Sequence, residues 1–320
     1  MIRRLIFIFL FIHLFPSPSR AVEVTLKPEV LRQGDILLMR IIPSPPDNST
    51  TSLPDRRQTG PFNKGGQSKT RPIGRGIIKG GEWGFSDKNL QGSFQEKKLH
   101  FFKMESGGYM ALAGIDMKTT PGEYTLTIIY NNKKIFEKNI KILPASFGLQ
   151  RLTLPKEKVD LSPEILNRVG IEQARLAELW TVINEKLWNG RFIMPVNGSI
   201  TSAFGVRRII NKEEKSPHSG IDIKADEGTP IAAPNNGRTA LIDDQFFGGK
   251  TLVLDHGYGI YSIFHHLSKI TVSEGQLVKR GEIIGNTGAT GRATGPNLHW
   301  GIRLQGERIN PVSIVNLEME

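Results

Sequence analysis

From Arg191 onward, no apolar run gets far before a glycine stops it. TLVLDHG, GIYSIFHHL, GQLVKRGEIIG and NLHWGIRL follow one another between 251 and 304. Runs of this length bounded by turn residues are too short for helices and suit strands. In the last of them polar and apolar residues alternate. Asn297, His299, Gly301 and Arg303 share one side, and Leu298, Trp300 and Ile302 the other. That is the period of a half-buried strand, with Gly301 expected to leave room beside His299. The 34 glycines in 320 residues agree with a turn-rich chain. The pattern predicts a compact all-β domain over 191–320.

The preceding sequence is organised differently. DILLMRII, YMALAGI, EYTLTIIY and KIFEKNIKIL read as strands between 35 and 143, with Pro-Gly and Asn-Asn turns at 121–122 and 131–132. They predict a β-sandwich over 22–145, for which an immunoglobulin-like arrangement is one form. Residues 43–76 are rich in Pro, Gly, Ser and Arg, without apolar period, and predict a mobile loop. From Leu161 to Glu185 the spacing turns helical. Ser162 is placed as N-cap, Pro163 at the first helical position, and Leu166, Val169, Ile171, Ala174 and Leu176 follow. This predicts a connecting helix within a linker over 146–190. The fold class expected is thus mainly β, two β domains joined by a helix.

Residues 1–21 have a basic start at Arg3 and Arg4, an apolar run from Leu5 to Phe15, and Ser19-Arg20-Ala21 as a small-x-small cleavage site. This reads as a secretory signal peptide, so the chain is expected to be exported, periplasmic or associated with the cell envelope, and soluble after cleavage. The chain has no cysteine. That closes both a lipid anchor at the cleavage site and disulfide stapling. The net charge of +11 suits an anionic wall or membrane surface. Export argues against nucleic acid as a partner.

Five of the seven histidines lie between 218 and 299. By composition alone, a metal site and a set of singly satisfied structural histidines stand equal. Spacing favours the metal. In PHSGIDI, His218 and Asp222 are four residues apart with Gly220 between, so both can meet one ion, and His299 joins from its strand. Two imidazoles and one carboxylate are the ligand set of a catalytic zinc ion with an open fourth position. Such an ion lowers the pKa of water from about 16 towards 7.

HSGID, GTPIAAPNNG, HGYGIYSIFHHL, GQLVKRGEIIGNTGATG and GPNLHW follow in order. Over about 200–315 the chain resembles the M23 metallopeptidases, the lysostaphin and LytM-like zinc endopeptidases that cut peptidoglycan cross-links. The resemblance implies one zinc ion held by His218, Asp222 and His299, with peptidoglycan peptides as substrate. It gives His266 a role in activating water and stabilising an oxyanion. Ser202, Phe204, Gly205 and Arg207 match a segment read here as structural. One departure stands out: the family usually reads His-Leu-His where this chain has Asn297-Leu298-His299. Asparagine donates and accepts hydrogen bonds but takes no proton near neutral pH, so Asn297 is expected to hold water or the oxyanion. The alternative reading is a non-catalytic LytM-like domain that binds wall or regulates an amidase.

Strand parity lets only one of His265 and His266 face the metal. His266 is chosen, with Phe264 and Ser262 on its side, and His265 is expected to be exposed or structural. His256 reads as a turn histidine, and His100 carries no functional weight. GGKT at 248–251 lacks the upstream glycine of a phosphate-binding loop, and neither HExxH nor GxSxG occurs.

Overall fold

The computed structural model describes residues 20–43, 76–80, 89–153 and 161–319. The segment read as a signal peptide, apart from Arg20 and Ala21, lies outside the described residues, as does the loop expected at 43–76 apart from its two ends. Among the described residues no helix is long and apolar enough to cross a membrane.

The chain is mainly β. Two five-stranded sheets form first, one built on Arg20–Lys27, Ile36–Pro43 and Tyr109–Gly114, the other on Leu90–Phe94, Gly122–Tyr130 and Lys133–Leu143. Leu37, Met39 and Ile41 with Tyr109 and Ala111 close one core against Phe94, Leu126 and Ile128 of the facing sheet. The apolar runs at 36–41 and 109–114 are buried on both faces, which is why they read as continuous rather than alternating. Ile36, Leu38, Met110 and Leu112 point the other way. They enter a second core shared with Trp188, Phe204, Trp300 and Ile309.

That second core belongs to a ten-stranded sheet. Its central order is Ile200–Ser202, Gly220–Lys224, Asn297–Leu304, Ile260–Ile270, Gly249–Gly257, Gly237–Gln245 and Leu277–Val278, with antiparallel pairing throughout. The helix runs Pro163–Leu179, capped by Ser162, whose side chain accepts from the Ile165 amide. It is shorter than the predicted pattern. Val169 is its buried residue, and Leu176, Leu179 and Trp180 pack on Leu241, Val253, Tyr261 and Ile263. Leu166 and Ile171 are exposed instead, because the inward face runs through 165, 169, 172 and 176 at helical spacing. After the helix the chain crosses the sheet without regular structure and buries Trp188, whose amide donates to the His256 carbonyl at 3.1 Å.

Candidate metal centre

Strand pairing builds the centre. Gly220–Lys224 lies beside Asn297–Leu304 with Asp222 directly opposite His299. Opposed residues point to the same face, so carboxylate and imidazole meet, and His218 folds over them from the approach to the strand. His218 Nε2 lies 3.0 Å from Asp222 Oδ1 and 3.0 Å from His299 Nδ1; His299 Nδ1 is 2.9 Å from the same Oδ1. Among the described residues, these three form the group able to hold a metal ion.

Proton placement tests the fit. His218 Nδ1 is 2.9 Å from the Ala203 carbonyl, which only accepts, so Nδ1 carries a proton and the nitrogen that His218 would offer a metal is Nε2. Without a proton there, Nε2 and the carboxylate oxygen 3.0 Å away would set two lone pairs face to face, which a cation between them would relieve. The triangle of donors has edges close to the roughly 3.3 Å expected around a tetrahedral zinc ion with bonds of about 2.0–2.1 Å. Burial pushes the Asp222 carboxyl up, but hydrogen bonds from His218 and His299 outweigh it and hold the group far below the usual carboxylate range. Burial lowers the His299 pKa to about 4, so its ring is neutral, the form that binds metal.

The room for this approach comes from Gly220 and not from Gly301. A Cβ on Gly220 would stand 2.4 Å from the Trp300 carbonyl and 2.8 Å from His299 Nε2. At Gly301 the contacts would be ordinary, from 3.5 Å upward. Ser202, read as structural, lies 3.2 Å from His218 Nδ1. Phe204 is a core residue, and Gly205, at φ +79°, fits under the Phe147 ring. Sequence reasoning passed over Arg208, whose Nη2 is 3.6 Å from Asp222 Oδ2. Nothing in the Arg-Arg-Ile-Ile sequence of 207–210 marks it out, because its approach to Asp222 depends on packing between strands.

The parity argument for His265 and His266 fails. Lys250 pairs with Leu267 and Leu252 with Phe264, so two histidines oppose the single Thr251. This is a β-bulge, and His266 takes φ +66°. Both rings therefore sit beside His299, at centroid distances of 5.1 Å for His265 and 6.3 Å for His266. His266 Nδ1 donates to the Thr290 carbonyl at 2.9 Å, which leaves its Nε2 bare. Burial lowers the pKa of both rings, that of His265 well below the usual value. Asn297 begins the ligand strand; its Nδ2 donates to the Gly295 carbonyl at 2.8 Å and its Oδ1 is buried without a partner. His256 lies apart as a satisfied core histidine, bonded to the Asn236 carbonyl at 2.7 Å and to Ser262 Oγ at 2.9 Å. The GGKT turn holds the bulge: the Gly248 carbonyl accepts from the His266 amide, and the Lys250 amide donates to Thr290 Oγ1.

A mainly β fold carrying this histidine–carboxylate centre defines a metallopeptidase class. The pattern of Peptidase family M23 matches residues 216–311. A crystal structure from Pseudomonas aeruginosa assigned to peptidase M23 is 34% identical and superposes with a TM-score of 0.57, over 71% of this chain and 88% of that one. The chain belongs to peptidase family M23. It is also 37% identical over 115 residues to the DD-carboxypeptidase/endopeptidase Mpg of Neisseria meningitidis serogroup B, covering 36% of this chain and 26% of that protein. Against the peptidoglycan DD-endopeptidase ShyA of Vibrio cholerae, identity is 37% over 112 residues, 35% of this chain and 26% of that one. The matched stretch thus spans about a quarter of the length of these curated relatives.

Proposed function

We propose that this protein is an exported zinc endopeptidase that hydrolyses peptide bonds in peptidoglycan. The observation that carries the reading is the convergence of His218 Nε2, Asp222 Oδ1 and His299 Nδ1 on one point, with the His266 ring 6.3 Å from that of His299. His218, Asp222 and His299 would hold a zinc ion, which would supply a Lewis acid to polarise a carbonyl and lower the pKa of water. The remaining work falls to the chain. His266, neutral and fixed through Nδ1 on Thr290, takes a proton at Nε2 from the attacking water and returns it to the leaving amine. Its left-handed backbone costs about 1–2 kcal/mol, a strain consistent with a functional position. Asn297 uses one N–H on Gly295 and keeps the second to donate to the oxygen that gains charge. Arg208 balances the Asp222 carboxylate from its outer oxygen. The named activities of Mpg and ShyA support wall peptides as substrate, and the N-terminal sequence supports export.

Digestion of purified wall sacculi by the full chain tests this. Zinc-loaded protein should release cross-linked peptide fragments, identified by mass spectrometry, and removal of zinc by a chelator should stop it. His266→Ala should keep one zinc ion per chain and lose about 10²–10⁴-fold in turnover. Intact sacculi after incubation with the zinc-loaded parent would leave the non-catalytic wall-binding reading in its place.

A further inference from the structure

Four neighbouring strands set Asp222, His299, His265 and Thr251 in one lateral row. Asp222 pairs with His299, and His299 with His265; Thr251 is the residue opposite the bulge. Paired residues on adjacent strands share a face, so His265 belongs to the face of the metal triad. Its place there is built. A Cβ on Gly248 would come within 2.3 Å of His265 Nδ1 and 2.7 Å of Thr251 Oγ1, so glycine alone admits the ring.

The row also fixes the tautomer. Thr251 is fully buried, and its one hydroxyl proton goes to the Gly249 carbonyl at 2.9 Å. In the 2.9 Å contact between Thr251 Oγ1 and His265 Nδ1 the nitrogen must therefore donate. A neutral imidazole protonated at Nδ1 presents a lone pair at Nε2. That nitrogen has no hydrogen-bond partner among the described residues. An acceptor so prepared lies beside the strand whose Asn297 offers an amide instead of an imidazole.

We propose that His265 is a substrate-contacting residue of this centre, its Nε2 accepting a hydrogen bond from an N–H or O–H of whatever binds beside His218, Asp222 and His299. The inference rests on the peptidase reading of the site, and its test does not require turnover. Acetohydroxamate is the probe, because it chelates zinc and carries an N–H donor. Calorimetry on the zinc-loaded full chain should show binding weakened about tenfold in His265→Phe, which keeps the ring and removes the acceptor, as expected for one lost hydrogen bond. His265→Gln, which restores an acceptor, should recover most of the affinity, and both variants should hold one zinc ion per chain. Nitrogen NMR of the metal-free protein should find His265 protonated at Nδ1 in the parent and in Thr251→Ser, and a mixture of tautomers in Thr251→Val. The proposal is overturned if His265→Phe binds the probe as the parent does, if it loses its zinc, or if the parent ring is protonated at Nε2. Should the parent leave wall peptides uncut while probe binding still depends on His265, the peptidase reading fails, and what stands is the hydrogen bond that His265 accepts from a molecule bound at the metal centre.

Discussion

Gly220 sets how closely the two ligand strands can approach. Its Cα lies where any side chain would meet the Trp300 carbonyl and the His299 ring. Gly220→Ala should therefore cost about 1–3 kcal/mol through overpacking and weaken zinc binding by displacing His299. Gly301→Ala meets only ordinary contacts and should leave zinc affinity near that of the parent. Chelator competition on both variants checks the pair; equal effects would mean that the close approach at Gly220 is not what positions His299. At this scale the sequence was informative about which side chains meet and not about their surroundings. That His218, Asp222 and His299 could meet, as they do in a group able to hold a metal ion, was legible because a four-residue spacing and a strand alternation each follow from local geometry. The part played by Gly220 was not, since it depends on which residue the neighbouring strand sets against Gly301. Cross-strand register is a long-range property that alternation along one strand does not contain.

The bulge at His265–His266 is the element on which the functional face turns, and it is buttressed from outside the sheet. Both carboxylate oxygens of Glu172, on the helix, accept from the Phe246 amide at 3.1 Å, and Arg168 holds the same carboxylate. Phe246 opens the turn whose Gly248 carbonyl holds the His266 amide at 2.7 Å. The helix thus braces the turn through Glu172, while Arg168 also reaches the Asp244 carbonyl at 2.6 Å. Glu172→Ala should raise hydrogen exchange at the Phe246 and His266 amides and reduce turnover several-fold, with zinc content unchanged; Glu172→Gln, which keeps one acceptor, should do less. Unaltered exchange at both amides in Glu172→Ala would show that the turn holds itself. The helix start was readable from Ser162-Pro163, since capping is local chemistry. Its inward face was not, and Leu166 and Ile171 are exposed, because apolar residues do not by themselves say which side meets the sheet. Nothing in FHHL announces a bulge: two adjacent histidines look the same whether the strand is regular or interrupted.

Across the whole molecule, the two parts that differ in sequence pattern share one core. Arg308, next to the ligand strand, places its guanidinium on both oxygens of Asp116 at 2.5 and 2.9 Å, and its amide on Asp116 Oδ2 at 2.9 Å. Burial pushes the Asp116 carboxyl up, yet the Arg308 bonds prevail and hold it below its ordinary value. A carboxyl depressed in the folded state stabilises above its unfolded pKa of about 4, and that contribution is lost as pH falls through the folded value. Asp116→Asn should accordingly cost about 1–3 kcal/mol near neutral pH and show a smaller loss of stability on acidification than the parent, as urea titrations at several pH values would reveal.

The consequence for folding follows from Phe102. It lies in the N-terminal part, is 5% exposed, and packs its ring at 5.5 Å from Trp188 and 4.5 Å from Tyr258 between centroids, both in the part that carries the metal centre. The face formed by Ile36, Leu38, Met110 and Leu112 would be open to water if the sandwich stood alone. The nearly continuous apolar runs ILLM at 36–39 and YMALAGI carried this information, since a strand with one wet face alternates and these do not. What they could not say was which residues cover the second face. We propose that the regions 22–145 and 191–320, read as separate domains, unfold as a single cooperative unit. Phe102→Ala, a cavity at their junction, should then cost about 3–5 kcal/mol and lower one common transition. Far-ultraviolet circular dichroism and the fluorescence of Trp188 and Trp300 should follow the same denaturation curve in parent and variant. Two resolved transitions, with only the first displaced in Phe102→Ala, would mean that the shared core does not couple the two parts.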